Sequence, residues 1–242
     1  MILRLDNPKL FSDVIGIISE LVNEVKIKVT KDGMSIVAID PANVAMTIFV
    51  LPAPAFSQLE VSEETLGVSL DSLKAVLRRC AVGSSLLMKT EDNTLRLEIV
   101  DKVKREFTLA LIDLESKDKP VPTLEFTTKV EINSNDLGEA IEDCSIVADS
   151  CSFEADPEKF VVSARGPLNS ANLTYSSDSV YIESPYKAKG KYSIEYLQKM
   201  IRGAKLTEKV TVNFGNDYPL RLEFKAPLME LSFILAPRVE TD

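Results

Sequence analysis

The tetrapeptide Leu-Arg-Leu-Glu occurs twice in this chain, beginning at Leu95 and at Leu220. The sequence around it repeats as well. "VSLDSLKAVLRRC" (68–80) lies over "YSIEYLQKMIRGA" (192–204) at an offset of 124, which sets Ser69 on Ser193, Asp71 on Glu195, Leu73 on Leu197, Leu77 on Ile201 and Arg78 on Arg202. One residue inserted near Pro219 moves the register to 125 for the two "LRLE" segments. Earlier, "IDPANVAM" (39–46) lies over "RGPLNSAN" (165–172) at 126, pairing Pro41 with Pro167 and Asn43 with Asn169. Separate blocks that keep one order and nearly one offset mark an internal duplication, so a single module is written twice.

Each copy carries the same series of local signals. Asn7 can cap a helix with Pro8 at its first position, and Leu10, Val14, Ile17, Ile18 and Leu21 have helical spacing. Alternating strands follow: "VKIKVT", then "MSIVAI" after the turn "KDG", then "VAMTIFVL". A second helix starts near Asp71, with Leu73, Val76, Leu77 and Cys80 on one face, and "LLMKT", "TLRLEIV" and "REFTLALI" close the half as strands. The second half repeats the plan, with helices near 135–148 and 194–205. Strands outnumber helices and the helices are amphipathic, which predicts an α+β fold of two duplicated sheet domains, each with two helices on one face. The expected division is 1–112, a connector over 113–126, and 127–242. The connector "DLESKDKPVPTLEF" is charged, holds two prolines and lacks glycine, the composition of an extended, rather stiff linker.

Composition excludes several kinds of chemistry. The chain has no histidine, which removes the commonest general base, the Ser-His and Cys-His nucleophile pairs, and imidazole-dependent zinc sites. Cys80, Cys144 and Cys151 have no metal-ligand spacing and read as reduced, mostly buried thiols of an intracellular protein. No apolar run reaches the ~18 residues of a membrane span, and "MILRLDNPKL" lacks the pattern of a secretory leader. Carboxylate-only or lysine-based chemistry stays open, and neither a cofactor nor a metal site is expected. The net charge of −9 argues against a nucleic-acid partner only if the charge is spread evenly.

Taken in order, "LVNEVKIKVTKDGMSIVAIDPANVAM", "SLDSLKAVLRRC", the connector, "SIEYLQKMIRGA", "NDYPLRLEF" and "ILAPRVE" resemble the proliferating cell nuclear antigen type of DNA sliding clamp over essentially the full chain. The short tail and compact connector look more like archaeal than eukaryotic members. The resemblance implies a trimeric ring of six similar domains, with helices lining a channel around duplex DNA. It also implies no catalytic activity, and a tether for DNA polymerase, clamp loader, flap endonuclease and DNA ligase through short clamp-binding peptides. Three identical chains are favoured over a mixed ring. The location is then intracellular: cytoplasm or nucleoid in an archaeon, nucleus in a eukaryote.

The resemblance places three sets of residues. Lys74, Arg78, Arg79, Lys199, Arg202 and Lys205 on the second helix of each half would face DNA, whereas the helix at 135–148 has only acidic charges, among them Asp136, Glu139, Glu142 and Asp143. A partner peptide, a glutamine followed by aliphatic and paired aromatic residues, would insert against Ile39, Asn43, Val44 and Met46. Val121, Pro122 and Phe126 of the connector, Pro219, and Ile234, Leu235, Ala236, Pro237 and Arg238 complete that pocket, and Lys119 and Pro120 would alter its preference. Phe107, Leu109 and Leu111 of "REFTLALI" would meet Leu173 and Tyr175 of "SANLTYSS" across subunits. The nearest alternative is a DNA-damage checkpoint clamp subunit. The alternative of another class is a carboxylate- and Mg²⁺-dependent enzyme acting on DNA, built on Asp113 and Glu115 or on Asp136, Glu139 and Asp143.

Overall fold

The computed structural model describes residues 1–114 and 120–238; Glu115, Lys119 and Val239 lie outside the described residues. In chain order the first elements are β1 (Ile2–Leu5), α1 (Lys9–Ile18), β2 (Glu24–Thr30), β3 (Gly33–Ile39), β4 (Ala45–Pro52), β5 (Gln58–Glu60), β6 (Glu63–Ser69), α2 (Leu70–Leu77), β7 (Ser85–Glu91), β8 (Thr94–Val100) and β9 (Lys104–Ala110). The second series is β10 (Thr128–Asn133), α3 (Ser134–Ser145), β11 (Ser150–Ala155), β12 (Lys159–Arg165), β13 (Ser170–Ser176), β14 (Tyr181–Glu183), β15 (Ala188–Ser193), α4 (Ile194–Met200), β16 (Lys209–Phe214), β17 (Leu220–Ala226) and β18 (Met229–Leu235).

These elements form two compact units. One comprises Met1–Pro41, Thr47–Val121 and Ala226–Leu231; the other comprises Ala42–Met46, Pro122–Lys225 and Ser232–Asp242. Ala42–Met46 thus groups with the second half and Ala226–Leu231 with the first, each against its place in the sequence.

In the first unit one strand run is β5-β1-β7-β8-β9 and the other is β6-β2-β3-β4. The pairings of β1, β2, β7 and β8 are antiparallel. Helix α1 buries Phe11, Val14, Ile15, Ile17 and Ile18; of the residues whose spacing marked it, Val14, Ile17 and Ile18 lie on that face, Leu21 is buried beyond the helix and Leu10 is half-buried. It begins one residue later than expected: Pro8 occupies the cap position, and Asn7 Oδ1 accepts from the Lys9 N–H at 3.4 Å. Helix α2 is capped by Ser69, whose hydroxyl accepts from the Ser72 N–H, and buries Leu70, Leu73, Val76 and Leu77.

The second unit repeats this with β13-β12-β11-β15 and β14-β10-β16-β17. Asn133 caps α3 through hydrogen bonds from the Asn135 and Asp136 amides. Its core is more aromatic: Phe153 meets Phe160, Tyr192 and Phe214 edge-on at centroid distances of 5.7, 5.6 and 6.4 Å. Cys144 and Cys151 are buried free thiols, and Cys80 is half-buried.

Both second helices end alike. After Leu77 the chain tightens, the Arg79 N–H bonding to the Val76 carbonyl and the Cys80 N–H to Leu77. After Met200 it runs as a 3₁₀-helix from Ile201 to Lys205. Gly203 lets that turn pack closely on Phe224, because a Cβ there would stand 2.6 Å from the ring. The expected helix over 194–205 is therefore an α-helix with a 3₁₀ extension.

Candidate DNA-facing, docking and edge surfaces

The basic residues of the second helices gather where the helices unwind. Arg78 and Arg79 are exposed just beyond α2, and Arg202 and Lys205 are exposed on the 3₁₀ turn beyond α4. Cations are favoured there on their own account, because the helix C-terminus carries partial negative charge. Lys74 is less available. Its Nζ donates to Ser19 Oγ at 2.8 Å and lies 3.9 Å from Glu20 Oε1, which joins α2 to α1. Lys199 bonds Glu195 one turn back at 2.8 Å and lies 5.4 Å from the Tyr196 ring centroid. The acidic residues of α3 stand at exposed positions, and Glu142 accepts from Gln198 of α4 at 3.0 Å.

Most of the residues expected to receive a peptide fall in the second unit: Asn43, Val44, Met46, Pro122, Phe126, Pro219 and Ile234–Arg238. Ile39 and Val121 fall in the first. Ile234, Leu235 and Met46 are buried, Pro122, Ala236 and Arg238 are exposed, and Val44, Phe126, Pro219 and Pro237 are half-buried. The segment after β18 is held at three points. The Ala236 N–H donates to the Val44 carbonyl at 2.9 Å, and the Arg238 N–H donates to the Lys191 carbonyl of β15 at 2.7 Å. The Arg238 guanidinium donates to Asp149 Oδ2 at 2.8 Å. That guanidinium holds the Asp149 carboxyl below its usual value of 3.8.

The insertion that the duplication exposes has a structural form. In the first copy Glu91 pairs with Thr94, leaving a two-residue hairpin turn at Asp92-Asn93. In the second copy a five-residue loop, 215–219, joins Phe214 of β16 to Leu220 of β17. Within it the Tyr218 ring meets Phe126 edge-on, with centroids 5.9 Å apart and planes at 82°. Sequence reasoning found Pro219 and Phe126 but missed Tyr218, Asp149 and Lys191. The insertion beside the repeat was the signal for the first of these. Nothing local marks the other two.

Strands β9 and β13 are edge strands, as are β5, β6, β14 and β15, and each of the two is paired on one side within its sheet. Both alternate strictly between exposed and half-buried positions. Phe107 and Leu109 point to the half-buried side of β9, and Leu173 and Tyr175 to that of β13. Leu111 lies past the end of β9, its N–H donating to the Asn93 carbonyl at 3.0 Å. The Tyr175 hydroxyl donates to the Asp136 carbonyl at 3.1 Å, which ties the edge strand β13 to α3. Among the described residues no group of three or more acidic, thiol or imidazole side chains is placed to hold a metal ion, and no helix is long and apolar enough to cross a membrane.

Comparison with known proteins gives one family. The model of the proliferating cell nuclear antigen N-terminal domain matches residues 1–119, and that of its C-terminal domain matches residues 120–239. A DNA polymerase sliding clamp of Pyrococcus furiosus is 36% identical over 241 residues, and one of Thermococcus fumicolans 37% over 241; each comparison covers 97% of both chains. The crystal structure of PCNA from Thermococcus kodakaraensis superposes with a TM-score of 0.92 at 28% identity, over 98% of this chain and 99% of that one. A PCNA2–PCNA3 complex from Sulfolobus tokodaii gives 0.90 at 27%, over 99% and 100%. With both halves matched in order and no part of the repeat left over, this chain belongs to the proliferating cell nuclear antigen family of sliding clamps.

Proposed function

We propose that this chain is a processivity clamp that encircles duplex DNA without regard to sequence and tethers replicative polymerase and other DNA-processing enzymes to it. The observation that carries the reading is the match of both family models, end to end, on a chain whose two copies each present an amphipathic helix pair. The family is one of non-enzymatic processivity factors. The exposed cations at the ends of α2 and α4 are the candidates for loose phosphate contacts, with Lys74 and Lys199 partly occupied by neighbours. A topological link needs few contacts, so an acidic α3 is compatible with sliding.

The domains of the proposal are 1–112 and 127–242, joined by the connector 113–126. Clamp-binding peptides of polymerase, clamp loader, flap endonuclease and ligase would dock at the surface built from Phe126, Pro219 and the 234–238 segment. The half-buried apolar atoms there suit aromatic anchors. Ring closure joins β9 of one subunit to β13 of the next, because an open edge with alternating side chains is satisfied by adding a strand. We take the ring to be a homotrimer: both kinds of edge are present in one chain, although a mixed assembly is named for the Sulfolobus tokodaii relative. A clamp of this kind works inside the cell, where the chromosome is. Light scattering of the purified chain should give the mass of three chains. A stable monomer at micromolar concentration would overturn the ring.

A further inference from the structure

The 215–219 loop is stretched over a buried tyrosine. Asp217 has φ of 46°, in the left-handed region that aspartate visits more readily than most residues, as Asp92 does in the first copy's hairpin at 49°; here its neighbours also hold it. Those neighbours lie at the start of β15. The Asp217 N–H donates to the Lys189 carbonyl at 3.1 Å, and the Lys189 N–H donates to Asn216 Oδ1 at 2.8 Å. From the core side, the Tyr192 hydroxyl donates to the Tyr218 carbonyl at 2.9 Å. The Tyr192 ring leans along its own strand over Gly190, where any Cβ would overlap the hydroxyl. Phe153, paired across the sheet with Gly190, closes the other side of the ring. Burial, with Asp217's carboxylate next in weight, pushes the phenol's pKa far up, so the hydroxyl remains a donor at any physiological pH.

We propose that the Tyr192 hydroxyl, given its slot by Gly190, is the positioning group for partner docking: it holds the 215–219 loop so that Tyr218, Phe126 and Pro219 present a preformed corner to the aromatic side chains of an incoming peptide. The proposal rests on the docking reading above. Its independent support is the duplication itself. At the offset of 124 the first copy has Val68 where the second has Tyr192, and the first copy keeps the tight two-residue hairpin. The hydroxyl and the opened loop occur together in one copy and are both missing from the other. A tyrosine that merely filled the core would need no hydroxyl, and valine or phenylalanine would serve. A preformed corner spares the ordering cost that a mobile loop would subtract from binding.

Calorimetry with a synthetic peptide carrying a glutamine, an aliphatic residue and paired aromatics tests this on the full chain. A second peptide has both aromatics replaced by alanine. Tyr192→Phe should weaken the aromatic peptide about three- to ten-fold, the scale of one net hydrogen bond. It should also shrink the preference for the aromatic peptide over its alanine form, which a general loss of stability would not do. Asn216→Ala loosens the same loop from its solvent side and should act in the same direction; if Tyr192→Phe does not fold, this variant decides. Wild-type binding with both variants within twofold overturns the positioning role and leaves docking intact. No wild-type binding at high micromolar peptide overturns the docking reading, and the role of Tyr192 in docking with it.

Discussion

The ion pair between Asp149 and Arg238 shows how much a single exposed residue can do when it sits beside a chain end. Asp149 is largely exposed, so the pair contributes little to global stability and is screened by salt. Its effect is local, because the same arginine donates its backbone N–H to Lys191. The folded-state pKa of Asp149 is depressed, so the contribution is intact above its unfolded value. It is lost as pH falls below 3.8 and through the depressed value. Amide exchange should show this: Asp149→Asn at neutral pH should lower the protection of the Arg238 and Ala236 amides relative to their intrinsic rates, and acidification of the wild type should bring their protection to the same level. An unchanged Arg238 rate in Asp149→Asn would mean that the backbone bond alone holds the segment. Neither Asp149 nor Tyr192 was legible in the sequence. One reads as a solvated loop carboxylate and the other as an alternating strand residue, and their partners lie 89 and 26 residues away.

At the scale of elements, the repeated strands β8 and β17 owe their likeness to a charge pattern as well as to their leucines. The first and third residues of "LRLE" are buried in both copies; the arginine and glutamate share the other face. Arg96 Nε lies 3.6 Å from Glu98, and Arg221 Nη2 lies 3.1 Å from Glu223. Glu98 is the more enclosed carboxylate, with a side chain 10% exposed and Lys89 and Lys104 at 3.8 and 3.1 Å as further partners. Removing its charge leaves Lys89, Arg96 and Lys104 with one carboxylate fewer, although Glu106 still holds Arg96 and Lys104 at 2.8 and 2.6 Å. Glu98→Gln should therefore cost about 1–2 kcal/mol in denaturant unfolding, more than a surface pair is worth. A change under ~0.3 kcal/mol would show the network to be dispensable. Long amphipathic runs made α1, α2 and β2 to β4 readable, because one buried face per element leaves a period in the sequence. Strands β1, β5 and β6 are not marked in the sequence: β1 has four residues, β5 has three and no buried position, and β6 reads "EETLGVS", with a glycine and little alternation.

For the whole molecule, a net charge of −9 and a DNA partner are reconciled by position. The exposed cations of α2 and α4 sit at the unwound helix ends, one cluster per copy. If these clusters meet the DNA, Arg78→Glu with Arg202→Glu should cut polymerase stimulation on a primed circular template by roughly ten-fold at moderate salt, with a shallower salt dependence. The mass in solution should stay that of wild type. Stimulation equal to wild type would move the DNA-facing surface elsewhere. Sequence placed these residues on a helix face by their spacing. It did not show that Lys74 is half claimed by α1, since that bond crosses 55 residues of chain.

One added residue ahead of the second "LRLE", together with one residue fewer of strand on each side of the turn, gives the five-residue loop 215–219 where the first copy has a two-residue hairpin. On the docking reading proposed above, the duplication did not double the docking surface. If three such chains close the proposed ring, it would repeat its module six times around the circle and offer three berths, alternating with modules that keep the two-residue hairpin. Clients on one ring would be spaced two modules apart, so the loop sets how many enzymes can share a clamp.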